Sequence, residues 1–284
     1  MKTRVSVFAR YISFCVICML CFNACLFDWN PPDTINVKSL SDAKKKLANY
    51  TFCGDSPDDL VDLRVHFDLG DLSQPENKYL RLIEIIGNSG LYVDLKLWEA
   101  KMGGGTVFSS PPLNEAVKGM DKIVRIKLPI VTTSIIADTN GKSPFFFYEN
   151  LVSADQYFSS SSKIAEIGDF AFSFCKSLKG IDLGYNVKTI GKEAIQGCEN
   201  LKVIMLGPSL ESIGDNAFFD CNTLERLEMH GVPPTLGDSV FLGSTPSTLT
   251  FSIKKEHESF YRAWLLENAS KFNNNGEDVF FNVR

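Results

Sequence analysis

A period of 23 residues runs through the second half of the chain and restricts its fold more than any other feature. Ile167, Ile190 and Ile213 stand 23 apart, as do Ala171, Ala194 and Ala217. Gly168, Gly191, Gly214 and Gly237 keep the same step, and so do Phe172, Ile195, Phe218 and Phe241. Cys175, Cys198 and Cys221 form a further column, followed by Leu178, Leu201 and Leu224. Next come Ile181, Ile204 and Leu227, then Leu183, Leu206 and Met229. The unit reads I-G-x-x-A-F-x-x-C-x-x-L-x-x-I-x-L, with a break near Gly184 or Gly207-Pro208. A coil this short cannot bury its apolar side alone, so successive coils must stack and their columns merge into one core.

The L-x-x-I-x-L part alternates, so it should form one strand per coil, pairing in parallel with its neighbours. Small Ala and Gly let the chain turn closely while Phe fills the middle, which gives a role to the 22 Phe set against 3 Trp. Cys175, Cys198 and Cys221 would lie one above another, and identical side chains pointing the same way are read as small buried hydrophobes rather than as a disulfide.

The grammar continues upstream in degraded form. Met120, Ile123, Ile126, Leu128 and Ile135 each fall 55 before Cys175, Leu178, Ile181, Leu183 and Ile190. Phe145 to Leu151 matches Phe172 to Leu178 at an offset of 27, with extra residues around Tyr157 to Ser162. By that alignment Phe145-Phe146-Phe147-Tyr148 belongs to the core, the competing reading being a membrane-inserting stripe. Leu236-Gly237 and Val240-Phe241 open a last repeat, where Ser244 replaces Cys and Ser247 replaces Leu. Leu249 to Ile253 then alternates as a strand, and Ser259 to Glu267 carries Phe260, Ala263 and Trp264 at helical spacing. Such a strand and helix would cover the exposed end of the core.

The segments from Ile167 to Leu178 and from Ile213 to Leu224 resemble BspA-like leucine-rich repeats, the 23-residue class of bacterial and protozoan surface proteins. The resemblance implies surface exposure, adhesion to host proteins or other microbes, and no known active site. Asp68-Leu-Gly-Asp and the stretch from Gly90 to Leu97 also resemble the amino-terminal part of spirochaete members of the family.

Ahead of the repeats, Ser41 is placed to cap a helix through Asn49. Val61, Leu63, Val65, Phe67 and Leu69 alternate with polar residues as a strand. Pro75 opens a helix carrying Leu80, Ile83 and Ile86, which ends over Gly87 to Gly90, and a strand with Val93, Leu95 and Leu97 follows. Strand, helix and strand make a parallel crossover unit that would seal the first end of the solenoid.

At the amino terminus, Lys2, Arg4 and Arg10 precede an uncharged apolar run from Tyr11 to Phe27, the pattern of an export signal. Its end, Phe22-Asn23-Ala24-Cys25, resembles the relaxed lipobox of spirochaete lipoproteins, which implies lipid attachment at Cys25. Phe22 fits neither the small-x-small cleavage pattern nor the stricter lipobox. An uncleaved anchor and simple secretion therefore stay open beside the lipoprotein reading. All three place the mature chain outside the cytoplasm, and the lipoprotein reading expects it at the outer membrane or cell surface, with the periplasmic face as the alternative.

The expected architecture is a leucine-rich-repeat solenoid with an α/β N-terminal cap and a short strand-helix C-terminal cap. Its segments are an export signal (1–24), lipidated Cys25 with a tether (25–36) and the α/β cap (37–100). Degenerate repeats (101–165), regular repeats (166–246) and the C-terminal cap (247–284) follow.

A net charge of -5 leaves no basic surplus to neutralise a phosphate backbone, so nucleic acid is not an expected partner. The C-x-x-C pairs formed by Cys15, Cys18 and Cys21 lie inside the apolar leader without further ligands, which argues against metal. Gly103-Gly104-Gly105 lacks the context of a phosphate loop. Asp138, Asn140 and Glu149 fit a calcium-loop template at three positions, but Lys142 and Ser143 spoil it. Asp55, Asp58, Asp59 and Asp62 read as a solvated acidic loop, with weak cation binding as the sharper alternative, and His66, His230 and His257 as solvated surface. With no nucleophile, base or metal set converging, neither catalysis nor a cofactor nor a small-molecule substrate is expected.

The residues between buried strand positions must point away from the core. One outward row then runs Asp94, Lys127, Asp155, Asp182, Met205 and Glu228, and its companion Tyr92, Arg125, Ser153, Gly180, Val203 and Arg226. Val203 and Met205 have no folding reason to be exposed beside Arg226 and Glu228. That combination suits a protein partner, against the plainer reading of a solvated sheet face. The expected ligand-binding residues are Asp94, Lys127, Asp182, Val203, Met205, Arg226 and Glu228. The expected function is adhesion or protein–protein interaction by a non-catalytic surface lipoprotein. A periplasmic structural lipoprotein that organises envelope components is the alternative.

Overall fold

The computed structural model describes residues 34–51, 53–156, 162–244, 249–271 and 279–283, all within the compact unit Asp33–Arg284. The leader, Cys25, the inserted residues 157–161 and Ser247 lie outside the described residues.

Each coil has three sides. The first is a long parallel sheet ordered β1 (Thr34–Val37), β2 (Val61–Val65), β3 (Val93–Lys96), β5 (Ile123–Leu128) and β7 (Ser153–Gln156). It is followed by β9 (Gly180–Asp182), β11 (Val203–Leu206), β13 (Arg226–Met229), β15 (Leu249–Ile253) and β16 (Val279–Val283). The Lys179 amide donates to the Val152 carbonyl at 3.2 Å where the two runs meet. The second side is a sheet of two-residue strands: β4 (Val107–Phe108), β6 (Ser134–Ile135), β8 (Glu166–Ile167), β10 (Thr189–Ile190), β12 (Ser212–Ile213) and β14 (Thr235–Leu236). The third side is made of turns, joined coil to coil by bonds such as Phe172 N–H to the Ala194 carbonyl at 2.6 Å.

The 23-residue columns are the register of these sheets. Ile167 pairs with Ile190 and Ile190 with Ile213, while Ile204 pairs with Ile181 and Leu227. Phe108, Phe145 and Phe172 stack at 5.5 and 5.2 Å between ring centroids, and Phe218 stacks on Phe241 at 5.2 Å, with buried Ile195 between the two runs. Burial of these side chains and of the Leu and Ile columns is the main favourable term, at about 1.5–3 kcal/mol for each large side chain.

The cysteine column is buried and free of disulfides. Cys198 Sγ donates to the Phe172 carbonyl at 3.2 Å and Cys221 Sγ to the Ile195 carbonyl at 3.0 Å; Ser244 makes the same bond to the Phe218 carbonyl. A second polar column stands just before each column leucine. Asn150, Ser177, Asn200 and Thr223 donate to the carbonyls of Asp121, Glu149, Lys176 and Glu199 in the preceding coil. These side chains satisfy turn carbonyls that no regular ladder reaches.

The N-terminal cap continues the long sheet and covers it with α1 (Leu40–Ala48) and α2 (Lys78–Ser89). Ser39, not Ser41, caps α1, accepting from the Asp42 amide at 3.1 Å. Asn77, not Pro75, opens α2, and left-handed Gly90 closes it. The alternating run ends as a strand at Val65, and Leu69 is buried from a loop. Strand β1 starts at Thr34, so the last residues assigned to the tether are sheet. Gly87 of α2 lies against Gly119, where a Cβ would come within 2.6 Å of backbone, so only glycine allows the helix to sit this close. The buried hydroxyls of Tyr79 and Tyr148, 2.8 Å apart, tie α2 to the repeats.

At the other end α3 (Glu258–Glu267) buries Tyr261 and Trp264, while Phe260 and Ala263 face solvent. The Trp264 indole donates to the Pro234 carbonyl at 2.7 Å and the Tyr261 hydroxyl to Gly231 at 3.2 Å, fixing the helix over the last coil.

Candidate functional site: the outer face of the long sheet

On β2, β3, β11 and β13 buried and half-buried residues alternate, so one side-chain row faces the core and the next faces outward. The hydrogen-bond register fixes which outward residues are neighbours. Asp182 lies beside Met205 and Met205 beside Glu228; Gly180 lies beside Val203 and Val203 beside Arg226. Five of the expected binding residues are therefore brought together on β9, β11 and β13.

Asp94 and Lys127 are not in one row. A register shift between Val93 and Asp94 pairs Asp94 with Arg125 and Lys96 with Lys127. At the irregularity Val124 is the extra residue of β5, and the observed register sets Asp94 two residues from its expected partner, so Asp94 belongs to the companion row and Tyr92 falls outside it.

The two halves of the face differ in chemistry. Around β2 and β3 charges are already matched within the chain. Lys96 pairs closely with Asp62, Arg64 lies 3.5 Å from Asp62, and Arg125 lies 3.9 Å from Asp94. Arg64 and Lys96 also sit over the Trp98 ring, at 5.6 and 5.8 Å from its centroid. His66 is not merely solvated: one ring nitrogen meets Glu99 and the other meets Asn36 Oδ1 at 2.9 Å. Burial pushes the Asp94 carboxyl above its ordinary range, and neighbouring Asp62 adds to the effect while Lys96 and Arg125 oppose it. Glu99 is held below its ordinary range, chiefly by the Trp98 indole N–H and then by His66.

Around β9 to β13 the face is more open. Gly180 leaves a notch beside Val203, since a Cβ there would meet only the Val203 carbonyl, at 3.6 Å. Val203 and Met205 are half-buried, and Arg226 is paired within the chain to Glu228 at 3.2 Å. Just past the strands, Tyr185 is 47% exposed with its ring 6.4 Å from that of His230. Neither residue was expected in the site. The signal for both was an aromatic or imidazole in turn columns otherwise filled by Gly184, Gly207, Pro208 and Gly231.

The remaining motifs have local structural uses. Asp68 Oδ1 accepts from the Gly70 and Gly103 amides, fastening the glycine loop. Asp138 Oδ1 accepts from the Asn140 and Lys142 amides at 2.8 and 2.9 Å, closing its own turn. Asp62 leaves the acidic loop and stands on the sheet face. Among the described residues no group of three or more His, Cys, Asp or Glu converges as a metal site, and no helix is long and apolar enough to cross a membrane.

Stacked three-sided coils with one long parallel strand each define a leucine-rich-repeat solenoid. Residues 143–270 match the family model of the BspA type leucine rich repeat region in six copies. A leucine-rich repeat protein from Bacteroides ovatus is similar at 16% identity, over 78% of this chain and 69% of that one, with a TM-score of 0.35. So distant a likeness fixes no detail of this chain. No curated protein matches it. Leucine-rich repeats commonly mediate protein binding and are generally non-catalytic, and BspA-type proteins are typically surface or secreted.

Proposed function

We propose that the chain is an exported lipoprotein, tethered through Cys25, whose repeats bind a protein on a host or neighbouring microbial surface. The observation that supports this reading most is the cluster on β9 to β13, where Val203, Met205 and Tyr185 stand exposed or half-buried among Asp182, Arg226 and Glu228. An apolar and aromatic centre with a charged rim is the usual anatomy of a protein hot spot. None of these side chains is used to close a coil, since the inward row of Ile181, Ile204 and Leu227 does that.

The test is the double variant Val203→Ser with Met205→Ser. Both positions point outward, so the melting temperature should stay that of the parent. Capture of immobilised host matrix proteins by the chain should fall at least tenfold, the scale of losing one hot-spot contact of about 1.4 kcal/mol. Undiminished capture by a normally folded variant would remove this face from the site.

A further inference from the structure

The turn side of the coils carries an aromatic surface outside the buried core and the long-sheet face, with Phe147 alone of it also packing partly against that core. Two positions in each regular coil have left-handed backbone there. Phe170, Glu193, Asn216 and Ser239 fill the first, with φ between 51° and 56°. Phe174, Gly197, Asp220 and Gly243 fill the second, with φ of 58°, 66°, 55° and 77°. Gly, Asn and Asp tolerate this region, whereas a bulky ring is strained in it. One coil nevertheless holds Phe at both positions, and neither ring belongs to the buried core.

The preceding coil completes the surface. Of the run Phe145 to Tyr148, expected whole in the core, only Phe145 and Tyr148 are buried; Phe146 is 39% exposed and Phe147 half-buried. The Phe146 ring meets Phe174, itself 45% exposed, edge-on at 6.4 Å. Phe174 lies over Gly197, where a Cβ would come within 2.5 Å of the ring. Lys142 Nζ stands 5.6 and 5.1 Å from the Phe146 and Phe147 centroids and donates to the Leu113 carbonyl at 3.1 Å, which fixes an ammonium among the rings. The patch stops at the next coil, where Glu193 and Gly197 stand in place of Phe170 and Phe174. The bordering acids are engaged: Asp169 accepts from the Lys192 amide, and Glu193 meets Lys192 and Gln196.

The rings themselves offer no hydrogen-bonding group, and they stand on turns, away from the strands of both sheets. A glycan needs polar partners, and a bound peptide needs a groove or a strand edge. A lipid interface needs neither: aromatic rings enter the headgroup–acyl boundary and an ammonium beside them meets phosphate. We propose that Phe146, Phe147 and Phe174 with Lys142 form a membrane-contacting patch that rests the turn side of the solenoid on an anionic phospholipid surface. The patch lies on a different side of the coil from the β9–β13 cluster, so either assignment can fail without the other.

The test incorporates the full chain into vesicles of phosphatidylcholine and phosphatidylglycerol with brominated acyl chains. Phe146→Trp reports from the patch and Met205→Trp from the long sheet, with the parent's own 3 tryptophans as background. Emission of the first should lose intensity to bromine and shift to the blue, and that of the second should do neither. Lys142→Glu added to Phe146→Trp should reduce the quenching. Hydroxyl-radical footprinting of the unmodified chain gives a reading independent of any substitution, with oxidation of Phe146 and Phe174 suppressed by vesicles relative to detergent. Equal quenching at both reporters, or rings oxidised as readily on vesicles as in detergent, would overturn the proposal. So would rings shielded only by an added protein.

Discussion

Replacing Cys198 separates two readings of the cysteine column, one as inert apolar filler and the other as a row of hydrogen-bond donors. Its thiol is buried and donates to the Phe172 carbonyl at 3.2 Å; Ser244, in the same column, makes the equivalent bond with a hydroxyl. Cys198→Ser retains the donor and nearly the volume, whereas Cys198→Ala removes both the donor and the sulfur's packing. An internal hydrogen bond is worth about 0.5–1.5 kcal/mol net, and a thiol is a weak donor. The Phe172 carbonyl also accepts the Cys175 amide at 3.2 Å, so it is not orphaned by the loss. Adding the lost contacts, Cys198→Ala should destabilise by about 1–2 kcal/mol and Cys198→Ser by under about 1 kcal/mol. At about 2–4 °C per kcal/mol for a domain of this size, the two melting midpoints should be resolved by circular dichroism. Serine costing as much as alanine would refute the donor reading and leave sulfur packing alone as the column's role.

The same column predicts a pH response. Burial pushes Cys175 up to about 12 from an ordinary 9.0, and Cys198 is also raised by burial. The unfolded thiols therefore ionise first, so stability is level below about 9 and falls as pH rises toward the folded values, which alkaline urea melts would follow. Ala194→Asp would place a carboxylate without a partner at a fully buried position, at a cost of several kcal/mol, and should spread unfolding to adjacent coils. Lys202→Gln, at an exposed pair with Glu225, should change the melt by under about 1 kcal/mol. Because burial raises the Asp94 carboxyl, its charged form is disfavoured in the fold above that raised value. Asp94→Asn should then melt above the parent at neutral pH, with the gap closing as pH falls through the carboxylate range. Cys25→Ala should abolish fatty-acid labelling and release the chain from the membrane fraction; sedimentation that persists, with no label in the parent, would favour an uncleaved helix.

What was legible in the sequence was whatever the stacking repeats. A residue such as Ile190 must occupy the same place as Ile167 and Ile213, so a count of 23 gives the sheet register and the buried columns together. The polar ladder of Asn150, Ser177, Asn200 and Thr223 was equally periodic but invisible to a search for apolar columns. Where a single local contact decides, counting fails. Ser39 and Ser41 are equally good caps until the chain path selects one, and α3 buries Tyr261 instead of Phe260 because its rotation is set by the hydrogen bonds of Trp264 and Tyr261. The strand Val279–Val283 has no clean alternation to mark it, since Phe280 places an apolar residue in the set it shares with Asn282. The misplaced Asp94 shows the limit most clearly: the register between β3 and β5 sets it against Arg125 rather than Lys127, while Arg125 stays beside Ser153 and Lys127 beside Asp155.

The consequence for binding is a gradient along the long sheet. A partner laid over β2 and β3 would have to strip water from Asp62, Arg64, Asp94 and Lys96, whose charges are already matched within the chain, and would gain few new pairings in return. Over β9 to β13 it would cover Val203 and Met205, settle beside Tyr185 and use the notch at Gly180, while Arg226 and Glu228 keep each other paired at the rim. Desolvation favours the second location even though the first holds more charge. If the repeats bind through this face as proposed, the charged half would set orientation and exclude ill-matched surfaces, and contact energy would concentrate on the coils whose repeats are most regular.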